Sequence, residues 1–475
     1  VLSLALAWAT PAPAQQPLTL QRAIELAQRQ GHQARAAEAT LEAAQYRDRA
    51  FYSRLLPQLS LGGTVPAYNR SIIEVVQPDG STLFRPQNQT SAELSAMVTQ
   101  RLPFTGGDLF VSSSLARLSV TGQQSIKTWS STPVTVGLRQ SLFRPNVAAW
   151  DQREQPIRFE VAERQYREAR EEIAVQTTGL FFDVYAARVA LDNATKNVAV
   201  NDTLFTLNKG RFEVGKIGEN DLLQSELALL RARTSLDGAR LEHERTMAAL
   251  RLALNLSPDS PVAVAVTADV PAFDPDTARA VAEALRNRAS VREVELQEVQ
   301  ARRRITEARL SSGIGATVQA SFGFNATAPE VSQAYQNLLE ARQFTVSVDI
   351  PVLQWGARKE AVRAAEADRD RVASTTRTML DQTAQDAHFA ALQLSQARRS
   401  LALSAKADTV AGKRFEVAYN RYVIGRIAID NLYIAQNEKD QALNQFVQAL
   451  RGYWTAHYRL RRLTLFDFQT EQPIR

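Results

Sequence analysis

Acid–base, metal and nucleophilic chemistry draw on a few side-chain types, and this chain supplies them sparsely. Its four histidines, His32, His243, His388 and His457, stand far apart on helical stretches. None has a second ligand three or four positions on, as a helical metal site needs. Cysteine is absent, which excludes disulfides, thiolate metal sites and a thiol nucleophile. No HExxH, GxSxG, P-loop or GxGxxG pattern occurs. Gly313-Ile314-Gly315 precedes a strand rather than a helix, so it carries no nucleotide signal. Carboxylate pairs such as Glu171-Glu172 are expected on polar helix faces. These residues predict no enzyme, no metal and no cofactor.

Charge points the same way. Lys and Arg number 56 against 50 Asp and Glu, a net +6. The basic residues are interleaved with acids, as in RQYREAREE at Arg164–Glu172, the pattern of a solvated helix face. No zinc-finger spacing, RNP-like motif or basic tail accompanies them, so no nucleic-acid partner is expected.

What stands out is a repeated non-chemical motif. Arg211–Leu222 reads RFEVGKIGENDL and Arg421–Leu432 reads RYVIGRIAIDNL, 210 positions apart. Gly215 and Gly218, and in the second copy Gly425, are expected to take positive φ and close a helix; Asn220 or Asp221, and Asp430 or Asn431, are expected to cap the next one. Each corner would set apolar Val214 and Ile217, or Ile424 and Ile427, beside Lys216 or Arg426. Such a tip is either a good turn alone or a docking surface.

The corners join long rods. In the first, Ile173, Thr177, Leu180, Val184, Ala187, Leu191, Ala194 and Val198 follow at alternating spacings of four and three, a heptad seam with many small residues. A helix from about Asn146 to Phe212 would be about 100 Å long at 1.5 Å per residue, so other rods must cover it. Asp221–Asn255 is its partner, and the pair returns as Ala357–Tyr422 and Asn431–Arg462. The seam also returns, as Ala387, Ala390, Leu394, Ala397 and Leu401.

Between the rods lie segments of period two. Ala92, Leu94, Ala96, Val98 and Leu102 alternate with polar residues, as do Val134, Val136, Leu138 and Leu142. So do Ala316, Val318, Ala320, Phe322 and Phe324, and Phe344, Val346, Val348 and Ile350. These fit transmembrane barrel strands or a half-buried antiparallel sheet. Leu59–Val65 and Asp108–Val120 are further strand candidates, and PFTGG at Pro103–Gly107 reads as a turn. Leu18–Gly31 and Thr277–Arg288 correspond at an offset of about 257, which falls to 210 beyond the strands. The chain is therefore a duplication whose first half carries an insertion of about 47 residues. At the N-terminus, VLSLALAWATPAPAQQ offers a short apolar run ending in an A-x-A-like site, read as the remains of a secretory signal over residues 1–14.

These residues resemble the TolC-like outer-membrane efflux proteins. The resemblance rests on the two corners, RFEVGKIGENDLLQ and RYVIGRIAIDNLYI, and on SLFRP at Ser141–Pro145 and IPVLQWGARKEAVRAAEA at Ile350–Ala367, which look like the family's strand-to-helix passages. It implies a mostly α fold with a transmembrane β-barrel: a long coiled-coil α-barrel plus antiparallel strands contributed to a trimeric outer-membrane barrel, about 12-stranded with four strands per protomer, or more if the insertion adds a hairpin, with an internal two-fold repeat. The implied layout is a signal remnant at 1–14, short helices at 15–57, strands with the insertion at 58–143 and a helical hairpin at 144–256. A linker with short helices follows at 257–312, strands at 313–353, a second helical hairpin at 354–464 and a tail at 465–475.

The same resemblance implies a homotrimeric passive duct in the outer membrane of a Gram-negative cell, extending into the periplasm, in contact with outer-membrane lipid. Its partners would be a periplasmic adaptor (membrane fusion) protein and an inner-membrane pump or the ABC transporter of type I secretion. Val214, Gly215, Lys216, Ile217, Ile424, Gly425, Arg426 and Ile427 become the adaptor-contacting tips. The family often narrows its tunnel with acidic residues just after the second corner. Here Asp430 is shifted by one and Ile434 takes the second acidic place, leaving Asp221, Asp430 and Asn431 as gate candidates. Without an amino-terminal cysteine the chain is unlike the acylated members. A periplasmic or surface coiled-coil scaffold would use the same heptads without lipid-facing strands.

Overall fold

The computed structural model describes residues 17–121, 125–267, 270–271 and 273–474; the signal remnant expected at 1–14 lies outside them. The first half runs α1 (Leu20–Gln30), α2 (His32–Ser53), β1 (Gln58–Val76), β2 (Thr82–Leu102), β3 (Gly107–Thr121), β4 (Ile126–Leu142), α3 (Val147–Glu213) and α4 (Glu219–Ala253). The second runs α5 (Thr277–Asn287), α6 (Ala289–Ser311), β5 (Gly315–Ala328), β6 (Leu339–Asp349), α7 (Ala357–Val423) and α8 (Ile429–Thr464), with a small closing pair β7 (Phe466–Asp467) and β8 (Gln472–Pro473). The rods match in length: α3 and α7 have 67 residues each. Pro156 lies inside α3; its missing N–H and its ring normally break a helix, yet α3 continues through it.

The chain forms two compact units that cut across the sequence halves. One gathers residues up to Glu42 with Ala162–Val291 and Met379–Arg475. Its core is built where seam residues meet aromatic ones: Ile173, Val184, Ala390, Leu394 and Leu401 pack with Phe181, Phe182 and Tyr453. α1 and α5 are capped by the side chains of Thr19 and Asp276, which accept from the N–H groups of Arg22 and Ala278. One carboxylate departs from expectation. Glu171 is not on a solvated face but buried, because Arg461, 290 positions along the chain, reaches its Oε2 at 3.3 Å; Glu172 beside it pairs with Arg462.

The other unit, Ala43–Val161 with Arg292–Thr378, holds one antiparallel sheet in the order β1-β2-β3-β4-β5-β6. Six strands stand at the six period-two candidates, one hairpin more than the four per protomer that the resemblance implies. The expected strand Leu59–Val65 is only the start of a 19-residue strand. The PFTGG turn does join β2 to β3, pinned by Asn146, whose amide donates to the Pro103 carbonyl oxygen at 2.7 Å while its Oδ1 accepts from the Ala149 N–H at the start of α3. Arg144 of SLFRP ties the end of β4 to the end of β6 through Asp349 at 2.8 Å and bonds the Ser311 carbonyl oxygen at the end of α6. Below the sheet α3 and α6 are joined by ions: Arg303 meets Asp151 at 2.7 Å, Glu154 at 3.0 Å and Glu307 at 2.7 Å, and Arg158 meets Glu154 at 2.6 Å. Burial alone would push the Glu154 carboxyl up, but hydrogen bonds from Arg158, Arg303 and Gln300 outweigh it and hold the group below the ordinary glutamate range.

Candidate functional site: a two-faced sheet and paired corners

Register decides what each face of the sheet presents. One row across all six strands reads Leu59, Val98, Val111, Val136, Phe322, Arg342. Five members are apolar, and the Arg342 guanidinium lies 5.7 Å from the Phe322 ring centroid. Two residues along, Gln100, Leu109, Leu138, Ala320 and Phe344 line up on the same face. The rows between them belong to the opposite face: Ser60, Met97, Ser112, Thr135, Gly323, Ala341, and then Gln58, Thr99, Phe110, Gly137, Ser321, Gln343. Arg101, Asp108, Arg139, Gln319 and Thr345 continue that polar face.

Among the described residues nothing covers the apolar face. Leu59, Val346 and Phe344 are 75%, 49% and 73% exposed. At the helix-side end of the strands Leu56, Phe104, Phe143, Val352 and Trp355 are also exposed. An apolar band rimmed by large apolar and aromatic side chains, backed by a small-polar face, is the pattern of a barrel wall between lipid and water. Among the described residues both edges, β1 and β6, lack a neighbouring strand on one side. Gly137 is required on the polar face, since a Cβ there would collide with the Phe110 ring.

The corners, in the helical unit, are built alike. Gly215 and Gly425 have φ of 70° and 75°. The Gly215 N–H donates to the Phe212 carbonyl oxygen and the Lys216 N–H to that of Arg211, both at 2.8 Å; Gly425 and Arg426 repeat this with Tyr422 and Arg421 at 2.9 and 2.8 Å. Both are Schellman closures. The second half of the expectation is corrected. Gly218 has φ −80° and serves as the N-cap of α4, and Ala428 caps α8, both without a side-chain bond. Asn220, Asp221, Asp430 and Asn431 lie within the first helical turn instead, where Asp221 and Asp430 favour the positive end of the helix dipole.

The structure brings the two corners together. The Arg211 guanidinium donates to the carbonyl oxygens of Tyr422 at 3.3 Å and Val423 at 2.8 Å and sits 5.2 Å from the Tyr422 ring centroid. The Tyr422 hydroxyl donates to Asn208 Oδ1 at 2.6 Å. Gln224 donates to Asp430 at 2.6 Å. Beneath lies a separate core of Leu204, Tyr422, Ile429 and Leu432. The copies differ where they meet: Tyr422 is 4% exposed, and Phe212, at the same place in the first copy, is 40% exposed. Val214 and Ile424 are exposed at 67% and 63%, beside exposed Lys216 and Arg426. Ile217 and Ile427, expected at the open tip, are half-buried; Ile427 packs on that core. Of the gate candidates, Asp430 and Asn431 are exposed and Asp221 is half-buried.

Two sites were not legible in the sequence. Asn208 and Tyr433 look like ordinary helix residues, yet Asn208 is fully buried and the Tyr433 hydroxyl has no partner. His457, expected to be an unremarkable helix residue, is buried among Phe273, Tyr453, Trp454 and Tyr458. Burial, with a further push from Arg461, drives its pKa down to about 4, so the imidazole is neutral. Among the described residues no group of three or more His, Asp or Glu side chains could hold a metal ion, and no helix is long and apolar enough to cross a membrane.

Residues 87–256, from β2 through the first corner and α4, match the outer membrane efflux protein family. No curated protein matches the chain. Three solved structures share its fold over nearly all of their length. The CmeC outer membrane channel of Campylobacter jejuni is 15% identical, with a TM-score of 0.67 over 97% of this chain and 90% of that one. VceC, an outer membrane protein of Vibrio cholerae, is 14% identical, with 0.65 over 94% and 95%. The open state of the MtrE outer membrane channel of Neisseria gonorrhoeae is 14% identical, with 0.62 over 94% and 88%. The chain thus has the fold of these outer-membrane proteins, and residues 87–256 match the outer membrane efflux protein family.

Proposed function

We propose that three copies of this chain close one β-barrel in the outer membrane of a Gram-negative cell and one helical tunnel in the periplasm. Together they would form a passive exit duct for a tripartite efflux pump or a type I secretion system. The observation that carries the reading is the apolar band that crosses all six strands and stops at two open edges. In hydrocarbon every backbone N–H and C=O must be paired, and an open sheet cannot meet that demand. Only further strands at β1 and β6 would satisfy it, and identical copies supply them in kind. The outer-membrane channels that share the fold support the same assignment.

In this reading the exposed tips Val214, Gly215, Lys216, Ile424, Gly425 and Arg426, with Ile217 and Ile427 at their base, dock a periplasmic adaptor that links the duct to an inner-membrane pump or ABC transporter. Asp221, Asp430 and Asn431 lie just past the corners, where the closed end of the tunnel would be. Opening would be a shear of the α7–α8 pair against α3–α4, breaking the bonds Arg211 makes to the second corner. The duct needs no cofactor; its partners supply the energy. A coiled-coil scaffold would leave the apolar face of the sheet without a role. Outer-membrane extracts should contain the chain as a heat-modifiable trimer. Recovery in the soluble periplasmic fraction would end the duct reading.

A further inference from the structure

Comparing the two halves shows what the first repeat adds. Ser311, the end of α6, lies 258 positions after Ser53, the end of α2, and Gly315, the start of β5, lies 257 after Gln58, the start of β1, whereas Ala357, the start of α7, lies 210 after Val147, the start of α3. The frame therefore shifts within the strands, between the start of β1 and the end of β4. The first repeat has four strands where the second has two, so one hairpin is an addition.

An added hairpin could fold over the lumen, project outward or join the wall, and the register distinguishes these. β2 pairs with β3 over fifteen consecutive residue pairs, Asn88↔Thr121 to Leu102↔Gly107, without a slip. Leu59, Leu61, Leu94 and Val98 extend the apolar face, while Ser60, Gly62 and Thr99 extend the polar one. A lumenal plug would present polar groups on both faces, and an outward loop would not carry the band. The β1–β2 hairpin has the two faces of the wall and lies in line with it. Past the slip at Thr64/Ala67 a polar run, Gln87, Asn88, Gln89, Thr90 and Ser91 on consecutive positions of β2, interrupts the band.

We infer that each copy contributes six strands, that β1 of one copy pairs antiparallel with β6 of the next, and that the trimer closes an 18-stranded wall. This rests on the trimeric duct proposed above. Barrel diameter grows roughly in proportion to strand number. With strands 4.8 Å apart and tilted by about 40°, twelve strands give a backbone diameter of about 24 Å and eighteen about 36 Å. The cross-section rises about 2.2-fold. A mouth of that width fits bulky or polymeric cargo better than it needs to for small solutes.

The absence of cysteine makes the test direct. A single Val136→Cys variant of the full chain, spin-labelled and purified in detergent, places one probe per copy in the wall. Backbone positions in this row lie about 31 Å apart between copies for eighteen strands and about 21 Å for twelve; the label on the outer face adds the same length, about 10 Å, to each, so pulsed dipolar spectroscopy should give about 41 Å for eighteen strands against about 31 Å for twelve. Cysteines paired between Ser60, Gly62 or Thr64 and Gln343, Thr345 or Ser347 should cross-link neighbouring copies. Native mass spectrometry on the same sample reports the copy number. A trimer with the short distance, or with cross-links from Ser112 or Ser114 to Gln343, Thr345 or Ser347 of the next copy, overturns the wide wall and leaves the duct standing. Any other copy number overturns the assembly and this inference together.

Discussion

The guanidinium of Arg211, at the end of the first long helix, donates to the carbonyl oxygen of Val423, at the end of the second, at 2.8 Å. A helix leaves its last carbonyl groups unpaired, and here the other repeat supplies the donor. The relationship runs one way, since Arg421, the counterpart of Arg211, is exposed. Replacing Arg211 with Ala should loosen the two corners from each other at a cost of about 1–2 kcal/mol, the lower range for charge-assisted bonds because the group is only half-buried. Amide exchange should quicken at residues 420–430 while the Tyr453 core stays protected. Uniform exchange across both would show that Arg211 does not couple the corners.

Backbone conformation separates two glycines only three positions apart. Gly215 and Gly425 hold positive φ with open space around the missing Cβ, so a side chain there is opposed by conformation rather than by crowding. Gly215→Val and Gly425→Val should each lose at least about 1–2 kcal/mol of local stability and, if the proposed duct is right, weaken cross-linking to its adaptor while trimers persist. Gly218→Ala, at φ −80°, should leave both unchanged. Equal effects at Gly215 and Gly218 would refute the assignment of the turn.

His457 gives the helical unit a dependence on acidity. Its folded pKa of about 4 lies below its ordinary value of 6.5. Between those values the unfolded chain binds a proton and the folded chain does not, so stability falls as pH drops from about 6.5 to about 4. Above 6.5 the contribution is fully present. Glu171 acts in the opposite sense: burial, opposed by Arg461, raises its carboxyl, so its contribution is present below its ordinary value and fades as pH rises. Thermal melts of His457→Phe should be flatter between pH 6.5 and 4 than those of the parent. An unchanged slope would assign the acid sensitivity elsewhere.

Glu154 holds the two repeats together beside the sheet. Breaking a buried ion pair costs about 3–5 kcal/mol. Glu154→Leu should fall near the lower end, because Arg303 keeps Asp151 and Glu307. Since the Glu154 carboxyl titrates below the ordinary range, the stability it provides is present above that range and is lost as pH falls through its folded pKa. The parent should therefore lose more stability on acidification below about 4.5 than the variant. A variant as stable as the parent at neutral pH would show the cluster to be surface decoration.

Much of this protein is written in local pattern. Period-two alternation from Ala92 to Leu102 and from Phe344 to Ile350 marked strands, heptad spacing from Ile173 to Val198 marked a rod, and the two corner motifs marked its ends, because backbone geometry repeats over a few residues wherever it occurs. The shift in repeat offset even revealed that an insertion exists. Tertiary structure alone decided what depends on residues distant in the chain: that the insertion is a hairpin sharing one apolar face with four other strands, that Arg211 closes α7, that Glu171 and His457 are buried. A carboxylate or imidazole reads the same in sequence whether water or Arg461 lies beside it, since the free energy of burying it is set by neighbours that only folding brings near.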